Sequence, residues 1–190
     1  MEKGICVYCS SSSSTPEIYQ RETECLGRLI AASGRSLVYG GAAIGLMGLL
    51  ARTVSHNGGR VTAVLPTSLH ERGIGYEEAD EYILTEDLRE RKAVMEGNSC
   101  AYIALPGGFG TLEELLEITT LKQLKMVRAP VVLVNTDGFY DQLIALRDRM
   151  LRENFMIPEN SRLIHVAENA EAAMDYISSY THEEMPSKWL

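Results

Sequence analysis

The pattern that most restricts the fold of this chain is an alternation of short apolar runs with longer amphipathic stretches. Ile5-Cys6-Val7-Tyr8, Ser36 to Tyr39, Val61 to Leu65, Glu81 to Thr85, Ala101 to Leu105, Val131 to Val134 and Leu163 to Val166 read as strands. Helical patterns run from Pro16 to about Ala32, Leu46 to about Ser55, Asp87 to about Glu96, Tyr140 to Glu153 and Ala170 to Tyr180. Another opens in the glycine-rich stretch after Leu105 and continues to about Lys125. Ser33-Gly34 and Asn57-Gly58-Gly59 supply stops, and Pro16 suits a first helical turn. Short apolar strands that alternate with helices are buried on both faces, which calls for a mostly parallel sheet between two helical layers. The expected class is α/β, a Rossmann-like three-layer sandwich. Such sheets bind ligands beyond the carboxyl ends of their strands, so Ser10 to Ser14, Gly40-Gly41 and the glycines after Leu105 should share one edge. No repeat, linker or composition shift divides the 190 residues, which predicts one unit over 1–190 with the tail 181–190 loosely held.

The stretch Pro106-Gly107-Gly108-Phe109-Gly110-Thr111-Leu112-Glu113-Glu114 sits between a strand and a helix. A strand that feeds a glycine-rich turn into a helix aims free backbone N–H groups outward at the positive end of the helix dipole, a geometry that binds phosphate without a lysine. Gly107, Gly108 and Gly110 allow close backbone approach, and Thr111 adds a hydroxyl. Glu113 and Glu114 place carboxylates one turn from the phosphate, which suits chemistry on a phosphorylated sugar. They lie about 100° apart on a helix, so one of the two should face the site. Thr111-x-x-Glu114 also fits a capping box, with Thr111 capping the helix and Glu114 reaching back to its N–H.

Other phosphate-binding patterns fail on spacing. Gly40, Gly41, Gly45 and Gly48 do not form G-x-G-x-x-G, and no acid occurs between Glu24 and Glu71 to hold a ribose hydroxyl. No lysine follows the glycines as a P-loop requires. The acid-free stretch carries Arg28, Arg35, Arg52 and Arg60, a local field that would tolerate an anion beside Gly40-Gly41. In the Asp87 helix, Arg89, Arg91 and Lys92 crowd the first turns, where the dipole disfavours cations. Arg91 shares a stripe with Leu88 and Met95, which faces it inward; a stem lying on the core with its head in water is the competing arrangement.

A net charge of −8 argues against nucleic-acid or anionic-membrane partners. No apolar run approaches the roughly 20 residues of a membrane span, and Met1-Glu2-Lys3 leads straight into a strand pattern, so a cytoplasmic location is expected. Cys6 and Cys9, read as lying on the first strand, point to opposite faces and are structural rather than a redox pair. His56, His70, His165 and His182 have no metal-ligand spacing. Neither metal nor cofactor is expected.

Together with the preceding Arg89-Glu90-Arg91-Lys92, the glycine motif resembles the LOG family of cytokinin riboside 5′-monophosphate phosphoribohydrolases. Cys6 to Ser10, Val38 to Gly41, Gly45 to Gly48 and Asn135 to Tyr140 are similar to that family's pattern as well, and the resemblance covers about Ile5 to Ile164. It implies that Arg91 and Glu114 are the catalytic pair, that Lys92 and Thr120 contact substrate, and that the protein is a homodimer or a larger homo-oligomer with sites near the interface. Leu112, Leu115, Leu116, Ile118, Leu121 and Leu124 agree, because they cover more of one helix than a single core face needs. Ser10, Gly40, Gly41 and Glu113 complete the expected substrate site. The implied reaction is hydrolysis of the N-glycosidic bond of a purine nucleoside 5′-monophosphate, of cytokinin type or AMP, to free base and ribose 5-phosphate. A non-catalytic nucleotide or cofactor carrier on the same fold is the alternative, but it needs neither Arg91 nor Glu114. Similar chains also carry the label lysine decarboxylase, whose chemistry needs a Schiff-base lysine; Lys92, beside an arginine in a phosphate-handling setting, does not fit. The family's glutamate about 18 residues before the arginine is replaced by Gly73, with Glu71 nearby.

Overall fold

A computed structural model describes residues 3–184. Seven strands are present, β1 (Gly4–Tyr8), β2 (Leu37–Tyr39), β3 (Val61–Pro66), β4 (Glu81–Thr85), β5 (Ser99–Ala104), β6 (Val131–Val134) and β7 (His165–Ala167). The helices are α1 (Glu17–Ala32), α2 (Gly45–His56), α3 (Thr67–His70), α4 (Leu88–Gly97), α5 (Phe109–Gln123), α6 (Asp141–Arg152) and α7 (Ala170–Ser179). The strands form one sheet in the order β4-β3-β2-β1-β5-β6-β7. Every pairing is parallel, from Ile5 beside Leu37 to Val132 beside His165. The expected α/β sandwich is therefore observed, with a fully parallel sheet.

Burial follows from this topology. Ile5, Val7, Leu37, Tyr39, Val61 and Ile103 face one core with Leu26, Ile30, Leu50 and Ala173 of α1, α2 and α7. Cys6, Val38, Val64, Tyr102 and Leu133 face the other with Met95 of α4 and Leu115 and Ile118 of α5. Alternate side chains along each strand thus serve opposite layers, as the period of two demands. Cys6 and Cys9 fall in different cores, although Cys9 lies just past the end of β1. Burial pushes both thiols above their ordinary range, so neither is poised as a nucleophile.

The order in which strands are added reverses between β1 and β5. Strands β2, β3 and β4 extend to one side of β1, and β5, β6 and β7 to the other. The loops after β1 and β5 therefore diverge and leave a crevice at the carboxyl edge.

Several expectations shift. α3 and two short 3-10 turns, Thr136–Gly138 and Pro158–Arg162, were not read from the sequence; each is too short to show a period. β5 starts at Ser99 and β7 runs later, over His165–Ala167. α5 begins at Phe109 with Gly108 as its N-cap residue. Thr111 is therefore in the third helical position and does not cap, because three backbone N–H groups already precede the first helical hydrogen bond, Leu112 N to Gly108 O at 3.1 Å. Of the tail expected to be loose, residues 185–190 lie outside the described residues.

Candidate active site

A cavity of about 410 Å³ opens at the crevice between the β1 and β5 loops. Its floor and walls come from Ser10 after β1, from Met47 of α2, from Arg91 and Lys92 of α4, and from Gly108 to Glu114 of α5.

α4 aims its two cations by its start. Asp87 accepts hydrogen bonds from the N–H groups of Arg89 and Glu90, both at 2.8 Å. These bonds hold the Asp87 carboxyl below its ordinary range. Glu90 in turn accepts from the N–H of Glu86 at 2.6 Å. With the first turn fixed, Arg91 and Lys92 lie side by side at the mouth of the crevice.

Both cations are paired across the cavity with α5. Arg91 Nη2 donates to Glu114 Oε1, with side chains only 12% and 3% exposed. Lys92 Nζ donates to Glu113 and lies 2.5 Å from Glu117. Burial pushes the Glu114 carboxyl above its ordinary range, with the Arg91 charge opposing part of that rise. Burial pulls Lys92 down, but its bonds to Glu113 and Glu117 outweigh it and hold the ammonium above its usual range. The Nε of Arg91 is buried without a hydrogen-bond partner, so one donor of the guanidinium is left unsatisfied.

The expected site residues divide accordingly. Ser10, Arg91, Lys92, Gly108, Gly110, Thr111, Glu113 and Glu114 converge on the cavity. Both glutamates line it, not one, because the neighbouring cations Arg91 and Lys92 each draw one of them inward. Gly107 stands behind the wall; a Cβ there would come within 2.1 Å of Thr111 Oγ1. Gly40 and Gly41, expected in the substrate site, are buried and do not line the cavity; Gly41 packs on Val64 and Leu65 at φ +78°. A Cβ on Gly40 would lie 3.0 Å from Arg91 Nη1, so its absence makes room for the guanidinium. Thr120 does not reach the cavity: it is exposed near the far end of α5, and its hydroxyl donates to Leu116 O at 2.8 Å. Nine residues beyond Thr111, it lies about 180° around the helix and about 13 Å along it.

The arginines of the acid-free stretch do not form a field around the site. Arg35 and Arg60 precede β2 and β3 and line a depression at the opposite, amino-terminal edge of the sheet. Arg52 binds Ala43 O at 2.9 Å. Gly73 occupies a turn at φ +70°, and neither it nor exposed Glu71 lines the cavity. The sequence reading missed three lining residues, Cys9, expected to be structural, Met47 and Leu88. Met47 sits between Gly45 and Gly48 with nothing in its own residue type to mark a ligand contact, and Leu88 resembles any apolar residue at a helix start.

The arrangement combines free N–H groups at the start of α5, a hydroxyl, and a buried carboxylate held by a guanidinium. It can hold an oxyanion at one end and stabilise positive charge a few ångströms away.

A family model described as possible lysine decarboxylase matches residues 47–177. The chain is 42% identical to a cytokinin riboside 5′-monophosphate phosphoribohydrolase of Arabidopsis thaliana, over 98% of this chain and 87% of that protein. It is 41% identical to a probable cytokinin riboside 5′-monophosphate phosphoribohydrolase of Oryza sativa subsp. japonica, over 97% and 76% respectively. Among solved structures, the molybdenum cofactor binding protein of Rippkaea orientalis superposes with a TM-score of 0.72 at 23% identity, covering 94% of this chain and 98% of that one. The molybdenum cofactor carrier protein of Chlamydomonas reinhardtii gives 0.71 at 24%, covering 94% and 97%. These two likenesses establish the fold alone.

Proposed function

The chain belongs to the LOG family of cytokinin riboside 5′-monophosphate phosphoribohydrolases, and from this we propose that it hydrolyses the N-glycosidic bond of a purine nucleoside 5′-monophosphate to free base and ribose 5-phosphate. The observation that carries the reading is the Arg91–Glu114 pair, buried beside a helix start able to hold phosphate. In this reading the 5′-phosphate rests on the N–H groups of Phe109, Gly110 and Thr111, with the Thr111 hydroxyl alongside. Anchoring the phosphate fixes the ribose, so cleavage proceeds as an intramolecular event at the site. Glu114 stabilises the oxocarbenium-like sugar and orients the attacking water. Arg91 opposes the effect of burial on Glu114 and favours its ionised form, and its guanidinium is placed to assist departure of the base. Lys92 holds Glu113 and Glu117 at the rim, where it can screen the arriving phosphate.

A non-catalytic carrier would share the fold and the glycine motif. No observation favours it, since a carrier has no need of a buried guanidinium–carboxylate pair. The lysine decarboxylase description has no support in the site either: Lys92 is held charged by two carboxylates, whereas imine formation needs a neutral amine.

Among the described residues no helix is long and apolar enough to cross a membrane, and we place the protein in the cytoplasm. We also take it to be one folded unit that works as a homodimer or a larger homo-oligomer. Leu116, Leu146 and Met150 are 49%, 48% and 37% exposed and lie together along an apolar groove between α5 and α6. This surface begins a turn from Glu113, which would set the two sites of a dimer near its interface.

The deciding experiment is incubation of the purified protein with AMP and with isopentenyladenosine monophosphate, followed by chromatography of the base. Release of base from the monophosphates and little from the matching nucleosides is the expected result. Tight AMP binding with no base released from any purine monophosphate would establish the carrier instead.

A further inference from the structure

A cavity larger than the Arg91–Glu114 crevice lies at the other end of the sheet. It has a volume of about 730 Å³ and is lined by Lys122 in the last turn of α5, Arg147 of α6, Arg162 and His165 at the start of β7, and Tyr176 and Tyr180 at the end of α7. All strands run parallel, so a cavity beside the first residue of β7 is at the amino-terminal edge, opposite the Arg91–Glu114 crevice. The two cavities share no lining residue.

Lys122 is the unusual member. It is 6% exposed and lies on the inward stripe of α5 with Leu115 and Ile118. Its ammonium sits 5.1 Å from the centre of the Tyr180 ring and forms no salt bridge among the described residues. The two arginines beside it are occupied, Arg147 by Asp148 at 2.9 Å and Arg162 by Glu183 at 3.2 Å. A buried ammonium without an anion is costly, and the protein packs an aromatic ring face against it, which compensates only in part. Burial accordingly pulls the Lys122 amine down to about 8. The wall opposite is rigid, since His165 stacks flat on Tyr176 at 3.7 Å and 2°. Three cationic side chains, Lys122, Arg147 and Arg162, line this cavity against one carboxylate, Glu183, in a chain of net charge −8.

We propose that this cavity is a second binding site, for a small tetrahedral oxyanion of the sulfate or phosphate type, with Lys122 as its direct contact and Arg147 and Arg162 as flanking charges. Ser161 and Thr181 on the lining supply hydroxyl donors. The inference does not depend on the reaction assigned to the other cavity.

Sulfate is the suitable probe because it does not change charge near neutral pH. In an amide-resolved NMR titration of the full chain with sulfate at pH 6.5, resonances of residues 161–166 and 176–181 should shift and saturate. Lys122→Met, which keeps the apolar stem, should weaken that binding at least tenfold. Shifts at Gly108 to Thr111 should persist, and so should any base release from AMP. A second arm needs no variant: at pH 9 the wild-type affinity at the far cavity should fall several-fold as Lys122 loses its proton. The other charged and titratable groups that share a cavity lining with Lys122 are Arg147, Arg162, His165, Tyr176, Tyr180 and Glu183 on this side, and Lys125, Arg128, His182 and Glu184 in a small pocket beside it. Burial pulls the His165 imidazole below its ordinary range, so it is mostly neutral already at the lower end of that interval, and burial pushes both tyrosines up and away from it. Absence of saturable shifts at residues 161–166 and 176–181 would overturn the proposal. So would shifts unchanged in Lys122→Met, which would leave Lys122 as a packing residue over Tyr180.

Discussion

At the scale of the residue, the site rests on one buried ion pair whose members come from different helices. Removing either member should slow base release on the order of 10²-fold or more, as expected for one positioned catalytic group. Glu114→Gln keeps an acceptor for Arg91 and should stay folded, so steady-state kinetics with AMP and circular dichroism together separate chemistry from stability. The pH profile offers a second check. The Glu114 carboxyl is raised by burial, so the fold favours its protonated form, and its contribution to stability is greatest at low pH and is lost as pH rises through the raised value. If the ionised form acts, the acid limb of kcat/KM must lie above the ordinary glutamate value of about 4.3. Arg91→Ala removes the charge that opposes the rise and should move that limb further up. Gly108 supplies the third test: its φ of −89° suits any residue, and a Cβ there meets nothing within 4 Å. Gly108→Val should therefore leave the melting temperature nearly unchanged yet weaken AMP binding in calorimetry, because its side chain enters the space the phosphate needs.

At the scale of the element, α4 and α5 do the positioning. Asp87 anchors α4 through two backbone N–H groups, and these bonds depress its carboxyl below the unfolded value. Its contribution to stability is present above the unfolded aspartate range and lost as pH falls through the folded value. Asp87→Ala should thus melt below the wild type at pH 7, with the difference shrinking as the pH approaches 3; thermal scans across that range would show it. The same variant should lose more activity than stability, since Arg91 lies in the turn that Asp87 fixes. α5 shows where reading the chain stopped short. Thr111 and Glu114 fit a capping box by spacing, but Gly108 starts the helix and frees Thr111 for the cavity. Spacing could not decide between these because glycine also serves as an N-cap residue.

At the scale of the whole molecule, the exposed apolar strip of Leu116, Leu146 and Met150 predicts association. Light scattering at micromolar concentration should report a dimer or larger species, and Leu146→Asp should reduce it to monomer; a monomeric wild type would count against the assembly. The layered sheet itself followed from the chain alone, because strand and helix periods and their alternation are local properties that admit few arrangements. The glycine motif and the inward stripe of Arg91 were legible for the same reason: each is written within one element. Tertiary structure alone decided what lies across from what. Arg91 meets Glu114, 23 positions away in the chain, because α4 and α5 cover the same face of the sheet on either side of the crevice. Arg35 and Arg60 are lost to the site because they precede their strands rather than follow them, and Lys122 becomes a buried cation because the chain just past α7 brings the Tyr180 ring over its ammonium. Charges act through distance and burial, and both depend on how helices are placed against a sheet, which no local pattern specifies.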